Sequence, residues 1–140
     1  MEPSIQLEDG TRLYACQTEA DFRATPTGQT LEIMQQYGVH TLYHLGRQKI
    51  EGREFAIILQ FENGLLTWIK MAYPASKSWN DYNLDREKQA VEDNTAWVKR
   101  VFGEEPPISF ENAGIYSDLE MRDKANLVSI CFKCPGCTRP

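Results

Sequence analysis

The alternation of apolar and polar residues is strongest from Glu54 to Met71, EFAIILQFENGLLTWIKM, where two apolar runs meet at Asn63-Gly64. Asn and Gly tolerate positive φ at both central positions of a type I′ turn, so this stretch predicts a β-hairpin. Thr41 to Ile50 also alternates and leads through Glu51-Gly52-Arg53 into the hairpin, giving an antiparallel meander at about 41–50, 54–61 and 65–72. A two-residue loop sets Phe61 opposite Leu66, Leu59 opposite Trp68 and Ile57 opposite Lys70. One face then carries Phe55, Ile57, Leu59, Phe61, Leu66 and Trp68, and the other Ala56, Ile58, Leu65, Ile69 and Met71. Both faces are expected to be apolar, and therefore covered by helices or by a partner chain.

The flanking patterns supply the other elements. Asp9-Gly10 between Ile5-Gln6-Leu7 and Leu13-Tyr14-Ala15-Cys16 reads as a smaller hairpin. Leu31, Met34 and Tyr37 recur at helical spacing with Gly38 behind them, which predicts a short helix from about 27 to 37. Leu84, Val91, Thr95, Val98 and Phe102 form the longest helical stripe, widened by Ala90, Trp97 and Val101. Asn83 or Asp85 can cap it, Lys99 and Arg100 suit its negative end, and Gly103 followed by Pro106-Pro107 closes it. A final hairpin is expected at about 114–122 and 127–133, with Ile115, Leu119, Met121, Val128, Ile130 and Phe132 buried and Tyr116, Asp118, Glu120 and Cys131 on the outer face. The element order ββ-α-βββ-α-ββ places the chain in the α+β class: an antiparallel β-sheet of a meander plus hairpins, packed with two helices.

Composition narrows the function more than it names it. The 140 residues, 41% hydrophobic and 25% charged, suit one domain over 1–140 with a single core. A net charge of −5 argues against nucleic-acid backbones as partners. No window approaches the roughly 20 apolar residues of a membrane span, and the polar, acidic N-terminus MEPSIQLEDG lacks a leader pattern, so a cytoplasmic location is expected.

In that compartment Cys16, Cys131, Cys134 and Cys137 are expected to stay reduced or to bind metal. Cys134-Pro135-Gly136-Cys137 leaving a strand is similar to the knuckles of zinc ribbons and rubredoxin-like sites, where a tight loop aims two thiolates at one ion. The second Cys-x-x-Cys pair of such sites is absent. A structural zinc would therefore need Cys131 and Cys16 or a histidine as further ligands, with residues 133–140 otherwise a mobile or metal-tethered tail. A thioredoxin-like role for Cys134 and Cys137 lacks the helix that would activate the first thiol.

Other candidate chemistry is sparse. His40 and His44 on a strand lie roughly 13 Å apart, too far to chelate one ion. Asp118 and Glu120 share a strand face about 7 Å apart, a distance open to a two-carboxylate site, although alternating acids usually mark a solvated face. Arg47, Lys49 and Arg53 near Tyr43 form a small basic cluster of the kind that guards a strand edge. The connection from Tyr73 to Tyr82 carries Tyr73, Trp79 and Tyr82, aromatic residues of the type that anchor protein interfaces; the alternative is that they pin the loop to the sheet.

The run α, βββ, α, ββ resembles the element order of type III secretion chaperones and their relatives, without a shared residue motif, and implies an acidic homodimer that holds a client protein. The sequence points first to a small acidic, non-enzymatic protein-binding module, such as an inhibitor, immunity factor, adaptor or chaperone. Second comes a protein stabilised by zinc at its C-terminal cysteines. Third is a small enzyme using Asp118, Glu120 or a histidine.

Overall fold

The computed structural model describes residues 2–31, 35–75 and 79–135. Within them a two-stranded hairpin, β1 (Ile5–Gln6) and β2 (Arg12–Leu13), is followed by two short helices, α1 (Glu19–Arg23) and α2 (Pro26–Thr30). Thr18 caps α1 by accepting from the Asp21 amide, and Thr25 caps α2 by accepting from the Gly28 amide, with Pro26 preset for the first turn. The helix expected over 27–37 ends at Thr30. Gln35–Tyr37 forms β3 instead, hairpinned through Gly38 at φ +60 onto the start of β4 (His40–Ile50). Met34 lies outside the described residues.

Strands β5 (Arg53–Glu62) and β6 (Leu65–Ala72) complete the meander around Asn63-Gly64, both at positive φ as the turn requires. A 3₁₀ turn at Trp79–Asp81 leads to α3 (Leu84–Phe102), capped by Asn83 and closed by Gly103 at φ +86. Strands β7 (Ile108–Ser109), β8 (Ala113–Leu119) and β9 (Asn126–Phe132) follow. All but the first hairpin join one antiparallel sheet in the order β3-β4-β5-β6-β9-β8-β7, which bears out the α+β class.

A β-bulge decides what each face carries. Phe61 stands opposite Leu66, but the next pair is Gln60 with Trp68, leaving Thr67 as the extra residue. From there Leu59 pairs with Ile69 and Ile57 with Met71. Ile69 and Met71 thus join Phe55, Ile57, Leu59, Phe61 and Leu66 on the core side, all essentially without exposure. Trp68 and Lys70 move to the other side. The expected membership of the two faces is corrected by this single inserted residue.

The C-terminal hairpin pairs Leu119 with Asn126, Ser117 with Val128 and Ile115 with Ile130. Its loop is therefore longer than expected, but the slip is an even number of positions and keeps the faces. Met121, expected in the core, sits on the turn and is 85% exposed.

All three helices lie on the core side. Trp97 of α3 packs edge-on against Phe55 with ring centroids 4.9 Å apart, and its Nε1–H donates to the Ile50 carbonyl. Phe22 of α1 packs between Tyr43 and Phe61, at 5.2 and 5.6 Å. Burying each such side chain contributes roughly 1.5–3 kcal/mol.

Candidate functional site

With the helices on one side, no described helix covers the other face of the sheet. Across it run β4, β5, β6, β9 and β8. The paired residues His44, Ile58, Lys70, Ser129 and Tyr116 make one row, and Arg47, Ala56, Ala72, Leu127 and Asp118 the next. Ala56, Ile58, Trp68, Lys70, Ala72 and Leu127 are all only half-buried. They floor a depression of about 310 Å³, walled on one side by Glu120 and Asp123.

Local contacts hold this face in shape. The Lys70 ammonium lies 4.2 Å from the Trp68 ring centroid, a cation–π contact between side chains two apart on one strand. Tyr116 folds over Gly114, where a Cβ would come within 2.6 Å of its hydroxyl and push the ring aside. The acidic wall is built by the turn: the Asp123 amide donates to Glu120 Oε1 at 2.5 Å and the Glu120 amide to the Ala125 carbonyl. The Tyr82 hydroxyl donates to the Lys124 carbonyl and ties that turn to the loop before α3.

The residues singled out from sequence are dispersed. Asp118 is exposed, whereas Glu120 is engaged by its own turn. His40 lies 3.5 Å from the fully buried Glu62 carboxylate, while His44 is exposed on the uncovered face. Arg47 and Lys49 share that face, but Arg53 turns to the core side, donating from Nε to Asn94 Oδ1 at 2.9 Å. Tyr73 is held from both directions: the Arg53 guanidinium stacks 4.1 Å from its ring, and Asn126 bonds its backbone N–H and C=O. Tyr73 and Tyr82 therefore help pin the connection. The Trp79 side chain lies outside what is described.

The cysteines meet a different fate from the one expected. Cys16 and Cys134 are joined in a disulfide, so these two sulfurs are not thiolate ligands and the four-cysteine zinc site is not assembled. Cys131 sits on β9 opposite Trp68 and Gly114, and Cys137 lies outside the described residues. Among the described residues no group of three or more His, Cys, Asp or Glu is arranged to hold a metal ion. No helix among them is long and apolar enough to cross a membrane. The segment after β9 is tethered through buried Cys134 by a covalent bond rather than by metal.

Two polar clusters, one buried and one part-buried, escaped the sequence reading. Glu87 and Asn94 face inward from α3 among apolar neighbours. Asn126 binds both, accepting at Oδ1 from Asn94 Nδ2 and donating from Nδ2 and its backbone N–H to Glu87 Oε1, at 3.0, 2.7 and 2.9 Å. The second cluster joins α1 to β4: the Tyr43 hydroxyl donates to Glu19 Oε2 and accepts from Arg23 Nε. Burial, then the Glu19 carboxylate, pushes the Tyr43 phenol up to about 12. That shift opposes any role as a base near neutrality. The only sequence trace of either cluster was the i, i+4 spacing of Glu19 and Arg23, and the i, i+7 spacing of Glu87 and Asn94, which places both on one helix face.

No protein-family model, curated protein or solved structure matches the chain.

Proposed function

We propose that this chain is a non-enzymatic protein-binding module whose working surface is the uncovered face of the sheet. The observation that carries this reading is the one-sided placement of the helices. It leaves Trp68, Ile58, Ala56, Ala72 and Leu127 half-exposed around a cation, where a chain working alone would favour polar residues. Aromatic and aliphatic residues at the centre of a surface, with charges at its rim, are the composition of a docking patch. The aromatic loop contributes by bracing the edge of this face through Tyr82.

The bridge bears on the working compartment. A disulfide between Cys16 and Cys134 favours an oxidising location over the cytoplasmic one expected from composition. The zinc reading loses two of its four ligands to that bond. The enzymatic reading keeps Asp118 and His44, which are separated across the width of the face.

A photo-crosslinking residue placed at Ile58, compared with one at Glu92 on the solvent side of α3, tests the reading in the native host. Protein adducts are expected from position 58 and not from 92. Adducts from neither position, or equally from both, would remove the face as a docking surface.

A further inference from the structure

We propose that the occupant of the uncovered face is the same face of a second copy of this chain, related by a two-fold axis along β6. This rests on the reading of that face as a docking surface and adds the identity of the partner. The argument is the distribution of charge. Arg47 and Lys49 lie on β4 at one flank, Lys49 beside Glu54 on β5, and Asp118 lies on β8 at the other flank with Glu120 just beyond it. Ala56, Ile58, Trp68, Ala72 and Leu127 lie between the flanks, around Lys70.

Strand β6 is the third of the five strands that make up the face. A half-turn about an axis along it exchanges the flanks while keeping the level along the strands. The registers fix those levels: Arg47 is level with Ala56 and Ala72, and Asp118 with Leu127. Because Met71 pairs with Val128, the next residues, Ala72 and Leu127, share a level too. The rotation therefore brings Arg47 of each copy over Asp118 of the other, twice per dimer. Its stem would lie on Leu127 and its guanidinium at the acidic wall formed by Glu120 and Asp123. A two-fold axis across the strands would instead set like flanks together.

Size and the central charge are compatible with this pairing. Five strands at about 4.8 Å spacing and three rows of side chains roughly 6.7 Å apart make a flat footprint of roughly 500 Å², to be set against the ~800 Å² that each partner gives to a standard interface. The two Lys70 ammoniums face each other near the axis, each on its own Trp68 ring and in the depression walled by Glu120 and Asp123, whose carboxylates offset their mutual repulsion.

The test is sedimentation equilibrium of the full chain, with R47E, D118R, the double variant, and an equimolar mixture of the two single variants. Wild type is expected to dimerise, each single variant to dimerise at least about tenfold more weakly, and both the double variant and the mixture to recover the dimer, because opposite charges face each other again. Circular dichroism of each variant confirms that the fold is retained, and recovery in the mixture also shows that both singles fold. A wild-type chain that stays monomeric at 100-fold the working concentration, or a dimer indifferent to both reversals, would overturn the proposal. Crosslinks from position 58 to a different protein, with the chain monomeric, would leave the docking surface standing and dismiss the second copy alone.

Discussion

Cys16 and Cys134 stand 118 residues apart in the chain and are bonded where β6 changes partners. Trp68 to Met71 pair with β9, whereas Leu66 exchanges backbone hydrogen bonds with Cys16 and Gln17 instead. The bridge fastens the two segments that share this one strand edge. A bond closing nearly the whole chain into a loop restricts the unfolded ensemble strongly, and the typical contribution is about 2–4 kcal/mol. The double replacement C16S/C134S should lower stability by that amount in urea unfolding, and reductant should reproduce the loss in wild type. Equal midpoints with and without reductant would show that the bond contributes nothing.

Tyr43 sets the alkaline limit. Its phenol is buried beside Glu19 and rises from 10.0 to about 12 in the folded chain. The folded state holds this proton more tightly than the unfolded state, so the contribution is complete below pH 10 and is lost as pH climbs through about 12. Tyr43→Phe should cost about 1–2 kcal/mol near neutrality through its lost hydrogen bonds and should flatten the decline between pH 10 and 12. Stability measured by thermal unfolding across that range checks both parts.

The sequence made the local turns and the long helix legible, because their signals are single residues with a geometric meaning: Asn63-Gly64 for the hairpin, Asn83 and Gly103 for the ends of α3. The faces were harder. Within the period-2 pattern of β6, the spacing of three between Leu66 and Ile69 was the trace of the bulge, and extending a regular register past Thr67 put Trp68 on the face of Leu66 and Ile69 on the opposite one. Tyr37 failed differently: its helical spacing from Leu31 and Met34 was coincidental, and pairing with His40 decides its conformation. The proximity of Cys16 to the C-terminal cysteines was anticipated through a metal that the bond replaces. The uncovered face was not legible at all, since it follows from three helices packing on one side, a relation between elements that no local pattern encodes.

Gly28 illustrates a constraint of that non-local kind. A Cβ there would lie 2.0 Å from the Phe22 carbonyl oxygen, because α2 folds back tightly on the end of α1. Gly28→Ala should therefore cost about 1–3 kcal/mol by forcing the two helices apart. Gly46→Ala, by contrast, meets nothing within 4 Å and is strained only by its φ of +72, so roughly 1 kcal/mol is expected. Denaturant midpoints of the two variants should rank in this order, and the reverse order would mean that α1 and α2 separate easily.

Asn126 holds a buried polar contact of the core. Its side chain bonds the Tyr73 backbone at both N–H and C=O, takes a hydrogen from Asn94 and gives one to Glu87. Asn126→Ala removes the bonds to the Tyr73 N–H and C=O and to Asn94 and one of the two to Glu87, and a loss of about 3 kcal/mol is expected. Asn126→Asp should be informative through its pH dependence. It keeps an acceptor for Tyr73 and Asn94 but sets a second carboxylate against Glu87, 2.7 Å from the atom now bonded by Nδ2. Two carboxylates at that distance share one proton readily and repel when both are ionised. The folded variant therefore binds a proton more tightly than the unfolded chain, and its deficit relative to wild type should narrow as pH falls towards 4 and widen towards 7. Urea unfolding of both proteins at those pH values measures the difference. A deficit that stays constant would show that the site relaxes enough to separate the two carboxylates.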